Sequence, residues 1–82
     1  MSHRPTVRYA AFMTTAETEL EMVRRHVREG VIIVADQRAR IAHLTASGLS
    51  TETAEATLVN FEDIQRLHEE HLARIETRRA GP

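Results

Sequence analysis

The 82-residue chain contains no cysteine, no lysine and no tryptophan, and its only aromatic side chains are Tyr9, Phe12 and Phe61. Without cysteine it has no disulfide, no thiol nucleophile and no thiolate ligand for zinc, which suits a reducing cytoplasm. A single core in a chain this short supplies only about 3–5 kcal/mol of net stability. The sequence therefore predicts either very regular helix packing or association with another chain.

Long apolar runs and an excess of one charge are also missing. The apolar run at residues 31–35 is far shorter than the roughly 20 residues that cross a bilayer. The N-terminus lacks the apolar core and cleavage site of a secretory signal. The net charge at pH 7 is −1, which argues against a general binder of polyanions. We therefore expect a cytoplasmic protein that neither enters a membrane nor binds nucleic acid, with nucleic-acid association through the arginines as the least favoured hypothesis.

Residues suited to catalysis are scarce. The chain has no glycine-rich phosphate loop, and Ser47 and Ser50 fall where a turn and a helix cap need them. Asp36 and Asp63 fall on the outer faces of the predicted helices. Without a nucleophile paired to a base, the sequence predicts no enzyme and no cofactor.

Helix-breaking residues are rare between Thr14 and the C-terminal end. Thr14 and Glu17 have the spacing of a capping box, which predicts a first helix over about 15–46. Gly48 suits the left-handed residue just past its end. Within this helix the stripe residues alternate at spacings of three and four, a heptad pattern. They are Leu20, Val23, Val27, Gly30, Val34, Gln37, Ile41 and Leu44.

A second helix with the same pattern is predicted over about 51–78. Ser50 stands where an N-cap is needed, and the turn at 47–49 is short. Helices joined by so short a turn are antiparallel neighbours. The stripe of the second helix comprises Ala54, Leu58, Phe61, Gln65, His68, Leu72 and Ile75.

The predicted fold is thus all-α, an antiparallel two-helix hairpin of coiled-coil type over residues 14–79. Residues 1–13 form an N-terminal arm and residues 80–82 a short tail. The arm shows no clear period before Met13. Three interpretations stay open: a flexible arm, an added helical turn, or a segment preceding a start at Met13.

One hairpin leaves apolar side chains beside and behind the stripes. Contiguous exposed apolar surface usually marks an interface, and two hairpins packed face to face would cover it as a four-helix bundle. The sequence therefore predicts a homodimer, with docking of another protein as a further option. The competing interpretation is a monomer whose arm covers the patch through Tyr9, Phe12 and Met13. The predicted interface residues are Met22, Val31, Ile32, Ile33, Val59, Ile64 and Leu67.

Three histidines allow a second hypothesis, a metal- or ligand-binding bundle. The order His68-Glu-Glu-His71 is not the His-Glu-x-x-His of zincins, and no Glu-x-x-His pair of the di-iron type is present. A looser site is conceivable, because counting equal steps from the turn brings His26 near His71. A pH-responsive interface through His26, His68 and His71 rests on the same side chains.

Polar and small residues interrupt both stripes. Gly30 costs its helix about 1 kcal/mol relative to alanine. The same counting places it opposite His68, so an imidazole or a helix backbone pressing on it would explain it. Gln37 and Gln65 are interpreted as hydrogen-bonded residues that fix the register of the helices, with a polar pocket as the alternative.

Both helices carry a set of motifs: HVREG (His26 to Gly30), QRARIAHLTASG (Gln37 to Gly48), Ala54, Leu58, Phe61-Glu62 and LHEEHLARI (Leu67 to Ile75). These motifs resemble those of a class of small helical-hairpin proteins that recur in alphaproteobacteria, rhizobia especially. An acidic residue often follows the glycine in that class, whereas Val31 stands here. The resemblance covers about fifty residues, excludes the arm, and implies a cytoplasmic, non-enzymatic protein without adding a ligand or a catalytic residue.

Overall fold

Two helices make up the computed structural model, which describes residues 17–81. Helix α1 is Glu19–Ala46 and helix α2 is Glu52–Ala80. They run antiparallel, because Arg24 near the start of α1 is bonded to Glu76 near the end of α2. The predicted all-α hairpin is confirmed. The predicted arm, the predicted cap Thr14 and the last residue of the predicted tail lie outside the described residues.

The first helix begins later than predicted, at Glu19 rather than near residue 15. Thr18 is its N-cap and forms a capping box with Glu21. The Glu21 amide donates to Thr18 Oγ1 at 3.1 Å, and the Thr18 amide donates to Glu21 Oε1 at 2.8 Å. The sequence contains two consecutive Thr-x-x-Glu matches, at residues 14–17 and 18–21. The second one satisfies two of the amides at the start of the helix.

The end of α1 is closed as predicted by Gly48. Its φ of 71° is the left-handed conformation that glycine adopts without strain. The Gly48 amide donates to Thr45 O and the Leu49 amide donates to Leu44 O. This pair of bonds is a Schellman motif, which satisfies the carbonyls that the last helical turn leaves free.

Helix α2 is shifted at both ends relative to the prediction. Its N-cap is Thr51 rather than Ser50, so the connection is longer than the predicted 47–49. The Thr51 hydroxyl donates to the Glu55 carboxylate instead of capping the backbone. At the other end the helix continues to Ala80, and Gly81 closes it with a φ of 65°.

The core between the helices is thin. Among the described residues the buried apolar side chains are Val23, Val34, Ala54 and Ile75, and Gln65 is the buried polar one. Neither α1 nor α2 is long and apolar enough to cross a membrane. A hairpin with so few buried side chains has little hydrophobic stabilisation to set against the entropy of ordering both helices.

Candidate interaction surface

One face of the hairpin carries a shallow apolar groove of about 180 Å³ between the helices. We name this the groove face. Gly30 and Gln65 lie in the groove, where the helices approach closely. Ile33 and Ile64 stand on α1 and α2, with 46% and 49% of their surface exposed. The groove is lined by His26, Glu29, Gly30, Ile33, Phe61, Ile64, Gln65 and His68.

Gly30 makes room for the side chain of Gln65. A Cβ at Gly30 would lie 1.7 Å from Gln65 Oε1 and 2.5 Å from its Cδ. Gln65 Nε2 donates to the Val27 carbonyl at 2.9 Å. Oε1 has no hydrogen-bond partner among the described residues and occupies the space into which a side chain at Gly30 would extend. The prediction that Gly30 accommodates an imidazole or a helix backbone is wrong, because the group is a carboxamide.

Gln37 makes the reciprocal contact. Its Nε2 donates to the Ala54 carbonyl of α2 at 2.8 Å, so each helix donates one glutamine amide to the backbone of the other. The predicted hydrogen bonding of Gln37 and Gln65 is confirmed, and the structure shows that both bonds cross between the helices. These bonds fix the sliding position of the two helices, since a carbonyl one turn away lies about 5 Å further along.

The three histidines do not come together. His26 lies beside His68, with ring centroids 5.0 Å apart. His71 is directed to Glu19, with Nε2 and Oε2 at 3.6 Å, so the predicted neighbourhood of His26 and His71 is wrong by one helical turn. Within residues 17–81 no three His, Asp or Glu side chains are grouped to hold a metal ion.

The seven predicted interface residues do not share one surface. Ile33 and Ile64 line the groove. Leu67 lies one turn beyond Ile64 on the same side of α2, and the half-buried Met22 lies about one turn before His26 on α1. The other three, Val31, Ile32 and Val59, are exposed but point elsewhere by helical phase.

The opposite side of the hairpin carries ion pairs between the helices. Arg24 meets Glu76 at 3.4 Å and Arg38 meets Glu62 at 2.7 Å. Val31 lies midway between the two arginines, in a depression that Glu69 also lines. We name this the ladder face and define it by Arg24, Val31, Arg38, Glu62, Glu69 and Glu76.

Val31 occupies the position in this ladder where an arginine would face Glu69. We therefore expect Val31→Arg to stabilise the hairpin, by up to about 1 kcal/mol at low salt, through a third exposed ion pair. Thermal unfolding of the variant at low and high salt measures the gain, which should shrink as salt screens the pair. A gain of equal size at both salt concentrations would contradict the ion-pair explanation.

Charged residues at the open end, the end away from the turn, form a second network. Arg25 binds Glu17 and Glu29, and this hydrogen-bonded guanidinium holds the pKa of the Glu17 carboxyl below its usual value. Glu19 lies 3.6 Å from Arg78 as well as from His71. These pairs are all exposed, so they orient side chains more than they stabilise the fold.

Comparison of the chain with protein-family models, with curated proteins and with solved structures finds no match in any of the three. The resemblance to alphaproteobacterial hairpin proteins stays a prediction. The sequence predicts Ile33 and Ile64 as contact residues, but not the contact of Gln65 with Gly30. A glycine and a glutamine on the facing stripes of the two helices could have indicated that contact.

Proposed function

We propose that the chain is a non-enzymatic protein–protein interaction module that acts as a homodimer. The groove face of one copy packs on the groove face of a second copy and produces a four-helix bundle. The observation that carries this proposal is the exposure of Ile33 and Ile64 on the two sides of the groove. In a bundle each isoleucine would have a second layer to pack against.

The thin core supports association rather than a monomer. Val23, Val34, Ala54 and Ile75 are the buried apolar residues of residues 17–81. Covering Ile33, Phe61 and Ile64 removes apolar area from water at about 25 cal/mol per Å². A hairpin that gains this area by dimerising draws its stability from the contact between copies.

The groove face is a better contact surface than the ladder face. The ladder face presents the ion pairs of Arg24 with Glu76 and Arg38 with Glu62. Burying such pairs against another protein costs desolvation energy that the Coulomb attraction often fails to recover. Interface centres are accordingly depleted in charged residues and rich in apolar ones. Val31 is a single apolar residue among the charges of the ladder face, so it provides a much smaller apolar contact area than the groove face does.

The proposal places the protein in the cytoplasm, because the chain has no cysteine to benefit from an oxidising compartment. It requires no cofactor. A regulatory role, in which the bundle docks a further protein, would use the outer surface of the bundle, because the groove face is then covered by the second copy. The motifs of residues 26–75 support a relationship to the alphaproteobacterial hairpin proteins.

Solution mass by light scattering on a sizing column, over a thousandfold range of protein concentration, tests the proposal. The monomer mass is 9.3 kDa, and we expect twice that value at the higher concentrations. The melting temperature should also rise with concentration, because dissociation accompanies unfolding of a dimer. A folded species of monomer mass throughout the range would overturn the proposal.

A further inference from the structure

We infer that the two copies of the proposed dimer align with both interhelix turns at the same end of the bundle. Helix α1 of each copy then packs against α2 of the other copy. This inference rests on the proposed dimerisation through the groove face. It specifies the occupant of the groove as a second copy of this chain in one orientation.

A twofold axis can relate two face-to-face hairpins in two ways. An axis along the bundle brings α1 of one copy beside α2 of the other and keeps both turns at one end. An axis across the bundle brings α1 beside α1 and α2 beside α2, with the turns at opposite ends. Neighbouring helices are antiparallel in both arrangements, so helix direction does not select between them. The charges along the two borders of the groove face do select between them. We call these borders the α1 edge and the α2 edge, after the helix that carries each.

The α1 edge of the groove face is acidic. Glu29 lines the groove itself. Asp36 stands seven residues further along α1, which is about two helical turns and therefore the same side of the helix. Glu19 marks the open end of this edge, where it contacts α2 through His71 and Arg78. Arg40, near the turn, is the one arginine at the corresponding positions of α1. Arg25, on the neighbouring side of α1, pairs with Glu29, and His26 lines the groove beside it.

The α2 edge is basic and carries no carboxylate. Arg74 and Arg78 line the depression at the open end together with Glu19 and His71. Towards the turn the same side of α2 carries uncharged side chains. By helical phase these are Leu67, Ile64, Asn60 and Thr57.

With the turns at opposite ends, α1 would face itself. If the two Ile33 side chains meet, Glu29 of one copy lies opposite Gln37 of the other and next to the level of its Asp36. Two such contacts form per dimer by symmetry. Like charges brought together at an interface oppose association.

With the turns at the same end, Glu19 faces the basic open end of the α2 edge. Glu29 and Asp36 come level with the uncharged stretch of that edge, so neither meets another carboxylate. A twofold axis along the bundle does not slide one copy along the other. Two residues at the same height along one hairpin are therefore also at the same height when one of them belongs to the second copy. Glu19 comes level with Arg78 of the second copy, as it does with its own Arg78. At the same alignment Ile33 comes level with Ile64 of the second copy. One register therefore places Glu19 against an arginine, keeps the carboxylates of α1 apart from each other and aligns the apolar centre.

Distance measurement between spin labels tests the arrangement, and the absence of cysteine makes any introduced thiol unique. Ser50→Cys places a label at the turn, on an exposed residue just before α2. Thr77→Cys places one near the open end. Since a helix of 28 residues is about 42 Å long, the two ends of the bundle are readily distinguished.

We expect label-to-label distances below about 30 Å for each single variant, because helices in a bundle are only about 8–10 Å apart. A mixture of the two variants should add a distance beyond about 40 Å, set by the helix length. Dimeric mass with the long distance in each single variant would overturn the arrangement and leave the dimer intact. Monomeric mass of the unlabelled protein would overturn the dimer and the arrangement together.

Discussion

Replacing Gly30 with alanine is expected to destabilise the hairpin by about 1 kcal/mol, although alanine is the better helix former. The added methyl would overlap Gln65, whose Oε1 lies 1.7 Å from the Cβ position. Gln65 would have to move, which breaks its bond to the Val27 carbonyl and leaves a buried amide without a partner. Chemical denaturation at one fixed protein concentration measures the loss.

Gln65→Ala supplies the control for this prediction. Without the carboxamide the space beside Gly30 is free, so Gly30→Ala in the Gln65→Ala background should stabilise the protein by about 1 kcal/mol, the ordinary helix preference. The effect of the same substitution therefore changes sign between the two backgrounds, which a double-mutant cycle reports directly. Equal effects in both backgrounds would show that Gln65 does not occupy the space beside Gly30.

Substituting Ile33 or Ile64 with glutamate is expected to convert the proposed dimer into a monomer. Each substitution places a carboxylate at the centre of the contact, twice per dimer, where burial of an unpaired charge is costly. We expect the dimer dissociation constant to rise at least about 100-fold, equivalent to about 2.8 kcal/mol. Light scattering at several concentrations measures the change.

Ile32→Glu is the matched control, because it makes the same substitution in the neighbouring residue of α1. Ile32 is 60% exposed and points away from α2 by helical phase. Its mutation should leave the mass unchanged. If Ile32→Glu dissociates the dimer while Ile33→Glu and Ile64→Glu do not, the contact lies on the outer side of α1 and the groove face is the wrong surface.

The fold could be predicted from the sequence because its signals are local. Gly48 was identified from its place after an apolar stripe, and its positive φ agrees. The predicted start of α1 is wrong because Thr14 and Thr18 both precede a glutamate at the capping-box spacing. In the structure Glu17, the glutamate of the Thr14 match, forms an ion pair with Arg25. Glu21 forms the capping box with Thr18.

The candidate site was predicted less completely, for a geometric reason. Helical period gives the side of the helix on which a residue lies, but counting from a turn has an error of about one helical turn, 5.4 Å. That error exchanges His68 for His71 as the neighbour of His26. It also exchanges His68 for Gln65 as the group against Gly30. Counting from the turn therefore does not identify which of two side chains one turn apart makes a given contact.

The glutamine bonds have a consequence for how the hairpin tolerates change at its turn. A seven-residue repeat is degenerate, since sliding one helix by two turns brings apolar residues opposite apolar residues again. Gln37 and Gln65 remove this degeneracy, because their hydrogen bonds to the carbonyls of Ala54 and Val27 form in one alignment of the helices. The connecting segment is then not needed to set the alignment, so insertions beside Gly48 can lengthen it while the helices keep their pairing.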